Sequence, residues 1–293
     1  MRKNDKLLTQ SSMNRLLPEV DYRSKTGVGI ECIDLSSFYK RAEYISPSPF
    51  QPNRIHFHCF LVPRYSGTHI VDFRTIHFDS NTIVYIGPGQ VHAWAHSSDA
   101  DGHLVLMTDE WFRQIRTLLQ TDQSWYWRHN NVLEFGRPDL MKMLTELLLK
   151  ESPLHIHSHT LMLLAAHWMS FLTSNGSDAH SLRDIERLTR LQALVETHMK
   201  EERSVAFYAN LLGLTSDALS DFIKRMTGVT AKVWINQMML LEAKRMLVTE
   251  NISISLLAQS LGFTETTHFI RFFRRYSGFT PFEFRRSYLN SGF

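Results

Sequence analysis

The chain has 293 residues, enough at about 100 to 200 residues per domain for two domains that each bury a core. Its 32 lysines and arginines against 29 carboxylates leave a formal charge of only +3, so the distribution of charge matters more than its sum. Two cysteines, Cys32 and Cys59, lack the paired spacing of a disulfide framework or a zinc knot and fit a reducing, cytoplasmic compartment. The opening MRKNDKLLTQSSMNRLLPEV has no continuous apolar stretch, and the run Leu161–Phe171 is short and carries His167, so neither an export signal nor a membrane span is expected.

Residues Met1 to about Lys25 are polar and weakly patterned, as a tail or arm is. From Gly29 to Leu106, short apolar or alternating runs (HFHCFLV, THIVDF, NTIVYI) are separated by Pro, Gly, Asn and Ser. That spacing predicts a small β-barrel or sandwich. After Pro138 the period becomes helical. Leu140, Met143, Leu144, Leu147 and Leu148 form one predicted stripe, and His159–Leu172 form a second apolar helix. The polar segment SNGSDAHS, Ser174–Ser181, is the best candidate linker.

Charge becomes uneven beyond that linker. From Asp184 onward there are 14 lysines and arginines against 11 carboxylates, whereas the preceding residues carry 18 of each. Arg271, Arg274, Arg275, Arg285 and Arg286 fall in one short stretch opposed only by Glu283.

The same region contains an internal repeat. Ala209-Asn-Leu-Leu-Gly213 returns as Ala258-Gln-Ser-Leu-Gly262, an offset of 49. Leu219, Phe222, Ile223, Gly228 and Thr230 return as Phe269, Phe272, Phe273, Gly278 and Thr280 at an offset of 50, so one residue has been added in the second turn. A small Ala where two helices cross and a Gly for the positive-φ turn are what a helix-turn-helix needs. Thr215 or Ser216, and Thr264, are candidate caps for the helix that follows. Leu219, Phe222 and Ile223 then share one face and leave Asp217, Ser220, Asp221 and Lys224 outward. In the second unit, Phe269, Phe272 and Phe273 form the predicted buried set. Thr266, Thr267, His268, Arg271, Arg274 and Arg275 occupy the remaining surface. A long helical pattern, Val233–Val248, joins the two units.

The stretch Ile254–Arg286, ISLLAQSLGFTETTHFIRFFRRYSGFTPFEFRR, resembles the signature of the AraC/XylS family of transcription regulators, and the resemblance covers about 105 residues. It implies a sequence-specific regulator of double-stranded DNA, not an enzyme, with helices starting near Ser216 and Glu265 entering successive major grooves. Arg271 matches a common base-contacting position of that family. An arginine there can donate two hydrogen bonds to guanine O6 and N7, and Thr266, Thr267 and His268 are its neighbours as readers. Asp217, Ser220 and Asp221 are the equivalent readers on the first helix. At Asp221 the family often carries a donor, and this Asp either accepts from cytosine N4 or faces water. Lys224, Arg225, Arg274, Arg275 and Arg285 are the expected phosphate partners.

The strand-rich part resembles the cupin-type effector domain of many family members, through Pro88-Gly-Gln-Val-His92. His56 and His58, two apart on a predicted strand, would project to one face, and with His92 they could form a three-histidine metal site. The carboxylate that a metal-dependent cupin supplies after such a pair is absent from Cys59–Tyr65, so no metal or cofactor is expected. A small-molecule effector pocket would draw on His56, His58, Tyr85, His92 and Trp94, whose rings suit sugars or aromatic compounds; ordinary barrel core is the competing reading. The apolar helix with Leu161, Leu164, Ala165, Trp168 and Phe171 is a candidate dimerisation element or is buried in its own domain.

The expected fold is α+β. It comprises a tail (1–25), a cupin-like β-barrel (26–137), a helical, possibly dimerising segment (138–175), a linker (176–182) and an all-α domain (183–293). That last domain carries helix-turn-helix units at about 205–226 and 254–276, joined by a long helix. The expected partners are duplex DNA, a small-molecule effector, RNA polymerase and a second copy of the chain, with activation the default mode. Control by a protein partner, or a metal-dependent cupin enzyme fused to a DNA-binding module, are the alternatives.

Overall fold

The computed structural model describes residues 19–20, 29–42, 50, 52–94, 100–120, 122, 124–135, 137–151, 158–173 and 181–291. The predicted tail, apart from Glu19–Val20, and the predicted linker, apart from Ser181 and Leu182, lie outside the described residues. In chain order the first half holds β1 (Glu19–Val20), β2 (Ile30–Asp34), α1 (Leu35–Ala42), β3 (Asn53–Ile55), β4 (His58–Pro63), β5 (Gly67–Val71), β6 (Arg74–Phe78), β7 (Thr82–Ile86), β8 (Val91–Ala93) and β9 (Gly102–Met107). It continues with α2 (Asp109–Leu119), α3 (Ser124–Asn130), β10 (Val132–Glu134), α4 (Pro138–Glu151) and α5 (Ser158–Thr173). The second half is helical: α6 (Leu182–His198), α7 (Val205–Leu211), α8 (Ser216–Thr227), α9 (Ala231–Thr249), α10 (Ile254–Ser260), α11 (Thr266–Ser277) and α12 (Pro281–Ser291).

Among the described residues the strands form two five-stranded sheets, β1-β3-β8-β5-β6 and β10-β7-β4-β9-β2, rather than one closed barrel. The period of two along each strand decides which side chains meet. In the second sheet Cys59, Leu61, Val84, Ile86 and Leu104 join Ile55, Val71 and Phe78 of the first sheet in an apolar layer between the two. The alternate residues, Phe60, Ile83, Tyr85, Val105 and Met107, face the other way into a core closed by α2, α4 and α5.

The α4 stripe differs from the expected one. Met141, Leu144, Thr145 and Leu148 are buried, while Met143 and Leu147 are exposed. Both stripes have helical spacing, and packing chooses the one that places Thr145 opposite Trp168. Its hydroxyl donates to the Met141 carbonyl (2.7 Å) and accepts from the indole N–H (2.9 Å). One face of α5 is buried in the same core, through Leu161, Ala165, Trp168, Met169 and Leu172.

In the helical half α9 contributes to two cores at once. Trp234, Ile235 and Met239 pack with α6, α7 and α8, and Leu240, Ala243, Met246 and Leu247 pack with α10, α11 and α12. One continuous helix therefore fixes the separation of the two helix-turn-helix units. They also interlock directly. The Arg203 guanidinium lies over the Phe263 ring (4.1 Å) and donates to the Leu261 carbonyl. Gly262, at φ +74, packs so closely on the Lys200 carbonyl that a Cβ would collide with it, whereas the equivalent Gly213, at φ +67, faces open space.

The β5–β6 hairpin joins the halves. Its tip, Asp72 and Phe73, was expected to continue a strand but is a turn with both residues at positive φ (+47 and +67). Such a backbone is uncommon for an aromatic residue. Phe73 packs edge-on against Phe284 (5.3 Å) and Tyr288 (4.7 Å) of α12. The buried Asp72 carboxylate accepts from Arg245 Nε (2.9 Å) and Nη2 (2.6 Å), Gln90 Nε2 (2.8 Å) and the Val91 amide (3.1 Å). Burial raises the Asp72 pKa, but Arg245 and these hydrogen bonds outweigh it and hold the carboxyl below the usual range. A second pair, Arg54–Glu242 (3.3 Å), lies alongside.

Candidate nucleic-acid interface

Helices α8 and α11 each place an apolar face inward and a polar face outward. In α8 Leu219, Phe222, Ile223 and Met226 are buried, while Asp217, Asp221, Lys224 and Arg225 are exposed. Ser220 is half-buried, and its hydroxyl donates to the Ser216 carbonyl (2.8 Å). Arg225 pairs with Asp184 (3.3 Å). In α11 Phe269 and Phe273 are buried, whereas Phe272 is only half-buried, between Phe263 (5.3 Å) and Tyr276 (5.1 Å). Thr267, His268, Arg271, Arg274 and Arg275 are exposed, and Thr266 is half-buried with its hydroxyl 3.3 Å from that of Ser255. His268 lies 3.6 Å from Glu265. Arg271 makes no hydrogen bond or ion pair with any described residue.

The helix starts separate the two units. Thr215 caps α8 by accepting from the Ala218 amide (3.2 Å). The added residue moves the second start one position on, so the N-cap of α11 is Glu265, which makes no side-chain cap bond, and not Thr264 as expected. Both helices end on a left-handed glycine, Gly228 and Gly278, whose amide bonds back to Lys224 and Arg274 (2.9 Å each).

One expected phosphate partner is used internally. Arg285 Nε donates to the Leu247 carbonyl (2.9 Å) near the C-terminus of α9, where helix carbonyls lack intrahelical partners. Burial lowers the Arg285 pKa. Its guanidinium belongs to the junction of α9 and α12.

The five predicted effector residues do not share one pocket. His56 is exposed in a bend before β4, so it does not share a strand face with His58, which is buried at the start of β4. The spacing misleads because the strand is interrupted at His56 and Phe57. His58 and Tyr85 lie on the helix-covered face. The His58 ring stacks on Phe112 (3.6 Å), its Nδ1 is 2.8 Å from the Tyr85 hydroxyl and its Nε2 is 3.3 Å from Asp109. The neutral tautomer with the proton on Nε2 satisfies all three groups. Burial pulls its pKa down to about 4, despite the pull of Asp109 the other way.

His92 and Trp94 belong to the layer between the sheets. There His92 Nδ1 is 3.1 Å from Nε2 of His69, a residue sequence reasoning did not single out. Burial depresses both imidazoles, His69 to about 4. Among the described residues no three His, Cys, Asp or Glu side chains converge as a metal site would require. No helix among them is long and apolar enough to cross a membrane.

Sequence reasoning also missed Asp72, Gln90 and Arg245. Gln90 sits in the recognised Pro88–His92 motif, where its carbonyl accepts from the Gly87 amide (2.8 Å) and Asn131 (3.1 Å) while its N–H₂ serves Asp72. A buried Asp and Arg separated by 173 residues give no local pattern to find.

A family model described as a helix-turn-helix domain matches residues 208–287. The HTH-type transcriptional activator RhaS of Enterobacter sp. (strain 638) is 23% identical over 232 residues, covering 77% of this chain and 84% of that protein. RhaS of Escherichia fergusonii is 33% identical over 100 residues, 34% of this chain and 36% of that protein. A solved AraC-type transcriptional regulator from Chromobacterium violaceum covers 36% of this chain and 96% of its own at 24% identity and a TM-score of 0.34. Unsaturated fatty acid bound ToxT from Vibrio cholerae covers 90% of this chain and 95% of its own at 13% identity and a TM-score of 0.46. With two helix-turn-helix units set on one connecting helix and the signature running through the second, residues 208–287 form a helix-turn-helix domain similar to the DNA-binding part of AraC/XylS-type transcription regulators.

Proposed function

We propose that this regulator inserts α8 and α11 into successive major grooves on one side of the duplex and that α11 carries most of the sequence reading. The observation behind this is Arg271. It stands exposed and unpaired among the described residues, on a helix whose opposite face is anchored by the buried Phe269 and Phe273. A guanidinium already fixed by a carboxylate would have to give up that bond before meeting a base, and this one does not. Thr266, Thr267 and His268 flank it as secondary readers, and Arg274, Arg275 and Lys224 serve phosphates. On α8, Asp217, Ser220 and Asp221 are the outward candidates. The two carboxylates suit only a donor such as cytosine N4 and are otherwise repelled by the phosphates, whereas the neutral Ser220 hydroxyl can donate or accept.

The first half is the sensor, a cupin-like sandwich that responds to a small molecule. His92 and Trp94, with His69 beside them, are its best interior candidates, and His58 and Tyr85 belong to a separate, helix-covered cluster. The mode is activation, through contact with RNA polymerase, as the relatives named transcriptional activators suggest. A second copy would pair along α4 and α5, where Met143, Leu147 and Leu163 are exposed apolar residues.

The test is selection of bound duplexes from a random library, at one fixed salt concentration, with the natural chain and with Arg271→Ala. A two-part site with centres about one helical turn apart, and loss of preference at one position in the variant, support the reading. Unchanged preferences in the variant would remove Arg271 as a reader.

A further inference from the structure

Between the halves lies a cavity of about 500 Å³, walled by the β5–β6 hairpin, α3, α6, α9 and α11. Small-molecule sites span about 300 to 1,000 Å³. Its charges do not cancel. Asp72 is taken by Arg245 (2.6 Å) and Glu196 by Arg128 (3.3 Å). Two cations remain. Arg74 Nη2 donates only to neutral oxygens, the His129 carbonyl (3.1 Å) and Asn131 Oδ1 (3.3 Å). Lys244 sits half-buried over the Phe284 ring (5.3 Å) and has no carboxylate partner among the described residues. Burial lowers the Lys244 pKa, which marks an ammonium that has lost water without gaining a counter-charge. Trp234 of α9 and Tyr276 of α11 line the same cavity.

We propose that this cavity binds a small ring-bearing organic anion, phosphorylated or carboxylated, whose charged group pairs with Arg74 and Lys244 and whose ring lies against Trp234 and Tyr276. The site is separate from the sandwich interior and from the His58 cluster. Its occupant would touch the sensor half, the helix joining the two reading units and, through Tyr276, α11 itself. The Tyr276 hydroxyl also accepts from Asn236 of α9 (2.7 Å). A ligand that favours this docked arrangement shifts DNA affinity by linkage. Only that consequence rests on the DNA-binding reading above.

Pyridoxal 5′-phosphate, which carries a phosphate, a ring and an aldehyde, is the probe. In the full chain the unprotonated Lys244 amine would condense with the aldehyde, releasing water and forming an imine. Borohydride then reduces the imine to a secondary amine that peptide mass spectrometry locates. Lys244 should be modified about tenfold faster than by 5′-deoxypyridoxal, which lacks the phosphate and cannot close to a hemiacetal, and faster than the exposed Lys200 and Lys232. Arg74→Ala, at an exposed position, should remove that phosphate advantage while leaving Lys200 and Lys232 unchanged. Stronger protection by phenyl phosphate than by benzoate assigns a phosphorylated ligand, and the reverse a carboxylated one. Equal rates with the two aldehydes at Lys244, or no preference for Lys244 over Lys200 and Lys232, would overturn the proposal. Labelling needs no DNA, so a chain that labels as expected yet selects no duplex leaves this site standing and removes the DNA-binding reading instead.

Discussion

Helices α8 and α11 are both twelve residues long, both end on left-handed glycines and both pack an apolar face onto α9 or its neighbours. Their outward faces have diverged. The first presents Asp217 and Asp221, and its Arg225 is held by Asp184, while the second presents Arg271, Arg274 and Arg275. Their starts differ as well, since Thr215 caps α8 and no side chain caps α11. Packing constrains the inward residues of a repeated unit tightly, because each must fill a fixed volume. The outward residues are constrained only by what they bind, so a repeat can keep its architecture while its two copies take unequal shares of the work.

The sharpest way to break this comparison is to remove one outward side chain from each helix. Arg271→Ala should weaken binding to the selected site by about 1 to 3 kcal/mol, whereas Asp221→Ala should cost nothing and should slightly strengthen binding. Fluorescence anisotropy on one labelled duplex measures both, and equal losses would mean that the helices contribute alike. Giving α8 a further cation, beyond Lys224, tests the same asymmetry from the other side. Asp221→Arg should steepen the dependence of affinity on salt by about one unit if the new guanidinium reaches a phosphate. An unchanged slope would place α8 away from the backbone.

The helix starts give smaller effects. Thr215→Ala should destabilise the domain by about 1 kcal/mol, read as a lower midpoint in urea. Thr264→Ala should stay within about 0.5 kcal/mol, since position 264 is not the cap. The smallest expected change is a gain. Glu265→Ser supplies the missing acceptor for the first turn of α11 and should add about 0.5 kcal/mol. The exposed His268–Glu265 pair it removes contributes little.

The helical half was legible because its signals are local and doubled. A repeated Ala and Gly at fixed offsets, with apolar residues at three- and four-residue spacing, mark both units in the sequence itself. The extra residue in the second turn was visible too, but the displaced cap was not, because Thr264 and Glu265 are both acceptable acceptors in a sequence. In the strand-rich half the strands were legible as runs, while the faces were not. His56 and His58 look like neighbours on a strand until the bend at His56–Phe57 separates them. Arg285 read as a surface cation, and only the return of α12 to the end of α9 shows the carbonyl it serves. The hairpin tip at Asp72 and its partner Arg245 depend wholly on tertiary proximity, which no periodicity encodes.

The two turn glycines foretell unequal histories for the two units. Both need positive φ, which asparagine tolerates. At Gly213 a side chain would extend into open space, so a lineage can drift there through asparagine at modest cost. At Gly262 the Lys200 carbonyl occupies the place of a Cβ, so any replacement must first move the segment leading into α7. The second unit's turn is thus tied to the first unit's entrance. Descendants of this chain can remodel the first turn alone, but must change the second, if at all, together with its neighbour.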